Sequence, residues 1–102
     1  MYNYAFLIGR VIQYQTETAV SGNSVVVSLQ VYREFKNMDG ERVHDIFNIK
    51  FTGVMADLLL TNLSKKKLED NIMIGVKGRL CSAGGSVTFV ADRVMFMDKE
   101  AE

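Results

Sequence analysis

The chain has 102 residues, a hydrophobic fraction of 48%, a charged fraction of 24% and a formal net charge of zero. This length suits a single domain with a buried core. The zero net charge excludes nucleic-acid binding that is driven by the charge of the whole protein, so any such binding must use local clusters of cations.

The sequence argues against several classes of protein. The N-terminal apolar run has no basic residues before it and ends at Gly9-Arg10, which is too short for a signal peptide or a membrane span. We therefore expect a cytoplasmic protein with no membrane partner. The single Cys81 and the single His44 argue against a disulfide or a zinc site, and we expect no metal and no cofactor. The sequence contains no recognisable carboxylate pair and no phosphate-binding loop, so it does not indicate an enzyme.

The first half of the chain predicts three strands. Residues 4–13 are apolar on both sides of a strand, and Gly9 indicates a bulge or bend within it. Residues 14–23 are polar and predict a loop. Residues 24–32 and 46–52 alternate between apolar and polar positions, which is typical of strands with one buried side.

The two alternating strands predict both a core and a polar sheet face. The residues expected in the core are Val25, Val27, Leu29 and Val31 on one strand and Phe47, Ile49 and Phe51 on the other. The opposite sides carry Tyr32, Asn48 and Lys50, so this face is polar and partly cationic.

Residues 33–42 connect these strands and predict a polar hairpin with an Asp39-Gly40 turn. Phe35 stands between the cations Arg33 and Lys36 in this sequence. Cations beside an aromatic ring can hold single-stranded nucleic acid, because the cations contact phosphates and the ring stacks on a base.

The second half predicts one helix and two strands. Leucines and other apolar residues of 54–67 recur every three or four positions, and the lysines 65–67 are expected at the helix end, where cations complement the helix dipole. These lysines are interpreted either as a solvated helix end or as a phosphate contact. Residues 72–80 and 87–97 predict strands joined by a tight turn at 83–86, with a change of phase near Asp92-Arg93.

Three strands, a helix and two strands are the element order of one particular all-β architecture. We therefore predict an all-β domain with one short helix, a five-stranded OB-fold barrel of order β-β-β-α-β-β. This domain is expected to span residues 1–98, and residues 99–102 form a short charged tail.

Short stretches spread along the chain resemble the bacterial single-stranded DNA-binding proteins. They are FLIGR at 6–10, REFKN at 33–37, GE at 40–41, IFNI at 46–49, MAD at 55–57 and VKGRL at 76–80. The resemblance extends over about residues 4–96 and implies non-catalytic, largely sequence-independent binding of single-stranded DNA in replication, recombination or repair. It also implies a homo-oligomer, with a tetramer as the family expectation and a dimer through the first strand as the minimum.

The resemblance also implies a set of binding residues. The family's stacking aromatics fall on Phe35, Ile46 and Thr52, of which only the first is aromatic, and Tyr32 is the candidate to replace one of them. The complete candidate set is Tyr32, Arg33, Phe35, Lys36, Asn48, Lys50, Lys77 and Arg79, and no catalytic or metal-binding residue is expected.

The missing aromatics, the zero net charge and the acidic turn at 69–71 favour a second hypothesis. In this alternative the chain is a tailless OB-fold adaptor, similar to the primosomal protein PriB, that acts mainly through protein partners and binds DNA weakly. Family members usually continue into an acidic tail that recruits replication or repair proteins. The short charged end of this chain is interpreted as a naturally short form or as a shortened version of a longer protein.

Overall fold

A computed structural model describes residues 3–19 and 22–97. This part of the chain forms five strands, one α-helix and one turn of 3₁₀ helix, Leu68–Asp70, before the fourth strand. The main elements are β1 (Ala5–Ala19), β2 (Gly22–Lys36), β3 (Arg42–Thr52), α1 (Gly53–Leu63), β4 (Met73–Ala83) and β5 (Ser86–Met97). The strands close a barrel in the order β1-β2-β3-β5-β4, and α1 lies between β3 and β4 in the chain. The predicted five-stranded architecture with one helix is therefore confirmed.

The core of the barrel is made by the inward-facing sides of the strands. The fully buried side chains include the predicted Val25, Val27, Leu29, Ile49 and Phe51. The helix α1 covers one end of this core with Ala56, Leu59 and Leu63, which recur at the spacing of one helix face. Phe47, also expected in the core, is 37% exposed, because it lines a surface cavity together with Leu80 and Val87.

The prediction of a loop over residues 14–23 is wrong. β1 continues to Ala19 and β2 begins at Gly22, and the two strands stay paired from Thr16 opposite Val25 to Ala19 opposite Gly22. The residues 15–17 of β1 are exposed and polar, although Val25 opposite Thr16 is buried, so this part of β1 has no apolar side of its own. A strand of this kind lacks the alternation that sequence analysis detects.

The bulge expected at Gly9 lies further along β1. The pairing of β1 with β2 shifts between Val11 and Gln13, so Ile12 is the extra residue. Gly9 instead allows a close approach of two strands, since a Cβ atom there would clash with the backbone carbonyl oxygen of Gln30. From Arg10 towards its start, β1 pairs with β4, which closes the barrel on this side.

The predicted helix also ends earlier than expected. α1 stops at Leu63, and the lysines 65–67 follow it, with no basic residue in its last turn. The favourable interaction with the helix dipole therefore does not explain these lysines. Of the described residues, no helix is long and apolar enough to span a membrane.

The change of phase predicted near Asp92-Arg93 is confirmed. Lys77 pairs with Arg93 and Gly78 pairs with Ala91, so Asp92 is an extra residue that bends β5. Phe89 and Ala91 before the bulge and Val94 after it can thus all face the core.

Candidate nucleic-acid interface

The hairpin of β2 and β3 presents one continuous polar face to solvent. Its outward-facing residues are Val26, Ser28, Gln30 and Tyr32 of β2, which lie opposite Lys50, Asn48, Ile46 and His44 of β3. We call this surface the outer hairpin face. It brings together the three predicted residues Tyr32, Asn48 and Lys50 because side chains of paired strands point to the same side of a sheet.

Tyr32 lies at the centre of a small cationic and aromatic cluster. The side chain is 49% exposed. The guanidinium carbon of Arg42 lies 4.8 Å from the centroid of its ring, which is a cation–π distance. The ring of His44 meets it edge-on, with the two centroids 5.9 Å apart. Arg42 and His44 were missing from the predicted set, because the predicted strand began only at residue 46, whereas β3 begins at Arg42.

Polar side chains continue this face towards the middle of the sheet. The hydroxyl of Ser28 donates to the Oδ1 atom of Asn48 over 2.8 Å. Arg10 of β1 donates from Nη2 to the Oε1 atom of Gln30 over 3.1 Å. These hydrogen bonds fix side-chain amides and a guanidinium at the surface, where they can contact phosphate oxygens or base edges.

Arg33 has a different environment from Tyr32. Its Nε and Nη2 atoms donate to the two carboxylate oxygens of Asp45 over 2.9 Å and 2.8 Å. Asp45 pairs with Val31, so it belongs to the opposite side of the hairpin from His44 and Ile46. The hydrogen bonds from Arg33 hold the pKa of Asp45 below its ordinary value. The ion pair therefore persists at neutral pH and is lost only as the pH falls through that lowered pKa.

The remaining predicted residues lie at the tip of the hairpin and on β4. Lys36 is exposed and pairs with Arg42 at the end of the hairpin. Phe35 belongs to β2, but its side chain lies outside the described residues. Arg79 forms an ion pair with Asp92. The Lys77 ammonium lies 4.9 Å from the centroid of the Tyr4 ring.

The barrel closure places Lys50 and Arg79 on one surface. Lys50 pairs with Val90 of β5, and Val90 pairs with Arg79 of β4, so the three side chains form a row across the sheet. Among the side chains that the structure describes, no carboxylate lies at ion-pair distance from Arg10, Arg42 or Lys50. The outer hairpin face, together with the adjoining Arg10 and Arg42, is thus locally positive although the net charge of the chain is zero.

An apolar cavity opens beside this face at the end of the barrel. Its volume is about 460 Å³, and its wall includes Ile46, Phe47, Leu80, Val87 and Phe89. Ile46 and Leu80 are about half exposed, at 53% and 48%. In the described part of the chain, no three His, Cys, Asp or Glu residues lie close enough together to hold a metal ion.

No model of a protein family matches the sequence. The curated single-stranded DNA-binding protein 1 of Streptococcus pyogenes is 36% identical to it over 70 residues. The chain belongs to the family of single-stranded DNA-binding proteins. The matched region covers 67% of this chain and 53% of the relative, so the chain spans about half the length of that protein.

Three solved structures share the fold of this chain. A small single-stranded DNA-binding protein from Mycoplasma pneumoniae matches 100% of this chain and 99% of its own, with a TM-score of 0.66 and 20% identity. The protein from Thermus aquaticus matches 95% of this chain and 50% of its own, with a TM-score of 0.73 and 20% identity. The dimeric N-terminal domain of PriB from Thermoanaerobacter tencongensis matches 95% of this chain and 98% of its own, with a TM-score of 0.62 and 17% identity.

Two positions that the family resemblance assigns to stacking aromatics are accessible in this chain. Ile46 lies on the outer hairpin face, and Thr52 is exposed at the start of α1. Tyr32 lies on the same face as Ile46. On this face, the pair Gln30–Ile46 lies between the pair Tyr32–His44 and the pair Ser28–Asn48. Tyr32 and Ile46 are thus both about half exposed on the outer hairpin face.

Proposed function

We propose that the chain binds single-stranded DNA on the outer hairpin face, without catalysis and with little sequence preference. The observation that carries this proposal is the cluster of Tyr32, Arg42 and His44, continued by Arg10 and Lys50. An exposed ring offers a surface on which a base can stack, and the surrounding cations can contact phosphates. Stacking and phosphate contacts read no base edges, so sequence preference should be slight.

The other candidate residues differ in how readily they could contact DNA bound on the outer hairpin face. Asn48 can donate from its side-chain amide, and Arg79 and Lys77 extend the cationic surface onto β4. Arg33 and Arg79 each have a carboxylate partner, so each must leave that partner, or share it, to contact a phosphate. We include Lys36 and Phe35 in the proposed site on the strength of the family resemblance and their place near the hairpin tip.

We expect tight binding of oligo(dT) at low salt that weakens as the salt concentration rises, because cations that contact phosphates release counterions. Replacing Tyr32 by alanine should weaken binding by about 1–3 kcal/mol, or about 5- to 150-fold, since a stacking surface is lost. Fluorescence-anisotropy titration of labelled oligo(dT) at two salt concentrations measures both effects. The Tyr32→Phe variant keeps the ring and should bind almost as the wild type does.

Absence of wild-type binding even at low salt would contradict this proposal. The chain would then be better described as an OB-fold adaptor that acts through protein partners. The fold similarity to the dimeric PriB domain is the observation that favours this second candidate.

The Arg33–Asp45 ion pair allows a second test. In the Asp45→Asn variant, Arg33 is no longer held on the opposite side of the hairpin. Its long, exposed side chain can then reach around the hairpin edge to a phosphate on the outer hairpin face, so we expect the salt dependence to steepen by about 0.7 in the slope of log K against log salt. This corresponds to about fivefold tighter binding at 0.1 M salt. The Asp57→Asn variant makes the same charge change on α1, and an equal gain there would show that only the net charge matters.

We further propose that the protein forms a homo-oligomer, a dimer or a tetramer, through the outward-facing side of β1. Phe6 and Ile8 of β1 and Met95 of β5 are 48%, 44% and 45% exposed, and the ends of Phe6 and Met95 meet above Gly75. An exposed apolar surface of this kind commonly marks a protein interface. The molar mass from light scattering distinguishes a monomer, a dimer and a tetramer. Roles in replication, recombination or repair, with protein partners from those processes, follow from the family resemblance.

A further inference from the structure

His44 lies on the outer hairpin face beside the ring of Tyr32. The two residues are paired across β2 and β3, the imidazole is exposed, and it meets the Tyr32 ring edge-on at an interplanar angle of 78°. A base that stacks on the Tyr32 ring therefore brings its backbone phosphate close to the imidazole. Histidine is the side chain that ordinarily changes its charge between pH 5 and 8, and this chain contains one histidine. The face thus holds a single group of this kind at the place where DNA is proposed to bind.

The side chains on and beside this face include several cations. Arg42 precedes His44 by two residues on the same side of β3 and pairs with Lys36 at the end of the hairpin. Further along the face, Gln30 accepts a hydrogen bond from Arg10 of β1. Neighbouring cations disfavour a further positive charge on His44 in the free protein, and a bound phosphate opposes that effect.

Asp45 is the described acidic residue next to His44, and its charge is constant above pH 5. It belongs to the opposite side of the hairpin, where hydrogen bonds from Arg33 hold the pKa of Asp45 below its ordinary value. Glu34 also belongs to this end of β2, but its side chain lies outside the described residues. A Glu34→Gln variant therefore separates the titration of Glu34 from that of His44.

A phosphate beside His44 couples DNA binding to the uptake of a proton. An anion favours the charged form of a neighbouring histidine, so the complex binds more protons than the free protein in the pH range where histidine titrates. The state that binds more protons is stabilised as the pH falls. The affinity for DNA should therefore rise from pH 7.5 to pH 5.5.

We infer that protonation of His44 strengthens the binding of single-stranded DNA, which makes the outer hairpin face a pH-responsive site. This inference rests on the proposed function and adds regulation to it. A charged imidazole contributes one further phosphate contact, which steepens the slope of log K against log salt by up to about 0.7. At 0.1 M salt, this corresponds to an affinity up to about fivefold higher at pH 5.5 than at pH 7.5.

The test is an anisotropy titration of rhodamine-labelled oligo(dT) at these two pH values and at several salt concentrations. Neither thymine nor the phosphodiester changes its charge in this range, so a pH effect must come from the protein. The wild type should bind more tightly at pH 5.5, by up to about fivefold. The His44→Gln variant should have equal affinities at the two pH values. The His44→Lys variant is charged at both, so it should lose the pH dependence and keep the steeper salt slope at pH 7.5.

A matched control returns one histidine to another part of the surface. Thr61 is exposed on α1 and does not belong to the outer hairpin face, so the Thr61→His/His44→Gln variant has the histidine content of the wild type. This variant should bind equally at the two pH values. The Glu34→Gln variant should keep the pH dependence of the wild type.

The results that would overturn the inference are distinguishable from failure of the proposed function. If the wild type binds oligo(dT) equally at both pH values, or if the His44→Gln variant keeps the wild-type pH dependence, His44 does not regulate binding and the proposed function stands. Loss of the pH dependence in the Glu34→Gln variant would assign the effect to Glu34, and its return in the Thr61→His/His44→Gln variant would show a general charge effect. If the wild type binds no oligo(dT) at low salt at either pH, the proposed function fails and the inference fails with it.

Discussion

We expect replacement of Gly78 by alanine to lower the free energy of unfolding by about 3 kcal/mol or more. A Cβ atom at this position would overlap the backbone carbonyl oxygen of Val90 and lie 2.6 Å from the ring of Phe89. Both neighbours are fixed, because Val90 belongs to a paired strand and Phe89 is buried in the core. The clash can be relieved only by moving β4 away from β5 at the bulge.

Gly75 provides a control on the same strand. A Cβ atom there would lie 3.3 Å from the terminal atoms of Met95 and Phe6, which are the ends of flexible side chains. The Gly75→Ala variant should therefore change the unfolding free energy by less than about 1 kcal/mol. Urea denaturation of both variants, followed by circular dichroism, measures the difference. Equal stabilities would contradict the close packing of β4 against β5 at Gly78.

The Ile46→Trp variant should bind oligo(dT) more tightly than the wild type, by about 1–3 kcal/mol or about 5- to 150-fold. Ile46 is 53% exposed on the outer hairpin face and lies beside the apolar cavity at the barrel end. An indole ring at this position gives a second stacking surface on the same face as Tyr32. Since the side chain is already half in solvent, the substitution should not disturb the core.

The gain at Ile46 must be separated from a general effect of adding an aromatic residue. Val54 is 84% exposed on α1 and does not belong to the outer hairpin face, so the Val54→Trp variant adds the same ring outside that face. Anisotropy titrations should show tighter binding for the first variant alone. Quenching of the new tryptophan fluorescence by DNA should likewise occur at position 46 and not at position 54. Unchanged affinity of Ile46→Trp would argue that DNA does not cross this part of the hairpin.

The sequence predicted the parts of the fold that carry a local pattern. Alternation indicated the buried sides of β2 and β3, and the unequal spacing around Asp92 indicated the bulge in β5. The strand through residues 14–19 was missed because its exposed residues lack an apolar side. The early end of α1 was missed because Lys65 and its neighbours are as compatible with a helix as with the segment that follows one.

The site was predictable only as far as single strands determine it. Alternation places Tyr32, Asn48 and Lys50 on outward positions, and pairing then puts them on one face. The cluster around Tyr32 depends on the register that brings Arg42 and His44 opposite the end of β2, and no local pattern specifies that register. The ion pairs of Arg33 and Arg79 join residues 12 and 13 positions apart, so they too were visible only in the folded chain.

The short contact between β3 and β5 has a consequence for the exchange of amide protons with solvent. Two residue pairs, Ile49 with Phe89 and Lys50 with Val90, make up this parallel ladder in the described structure, whereas the other ladders are longer. A ladder with so few backbone hydrogen bonds is where local opening costs least. Because Lys50 belongs to the proposed DNA path, a bound strand would stabilise the closed form by mass action. Hydrogen exchange of the amides that donate across the β3–β5 ladder should therefore slow when DNA binds, and the closing of the barrel would then depend in part on its ligand.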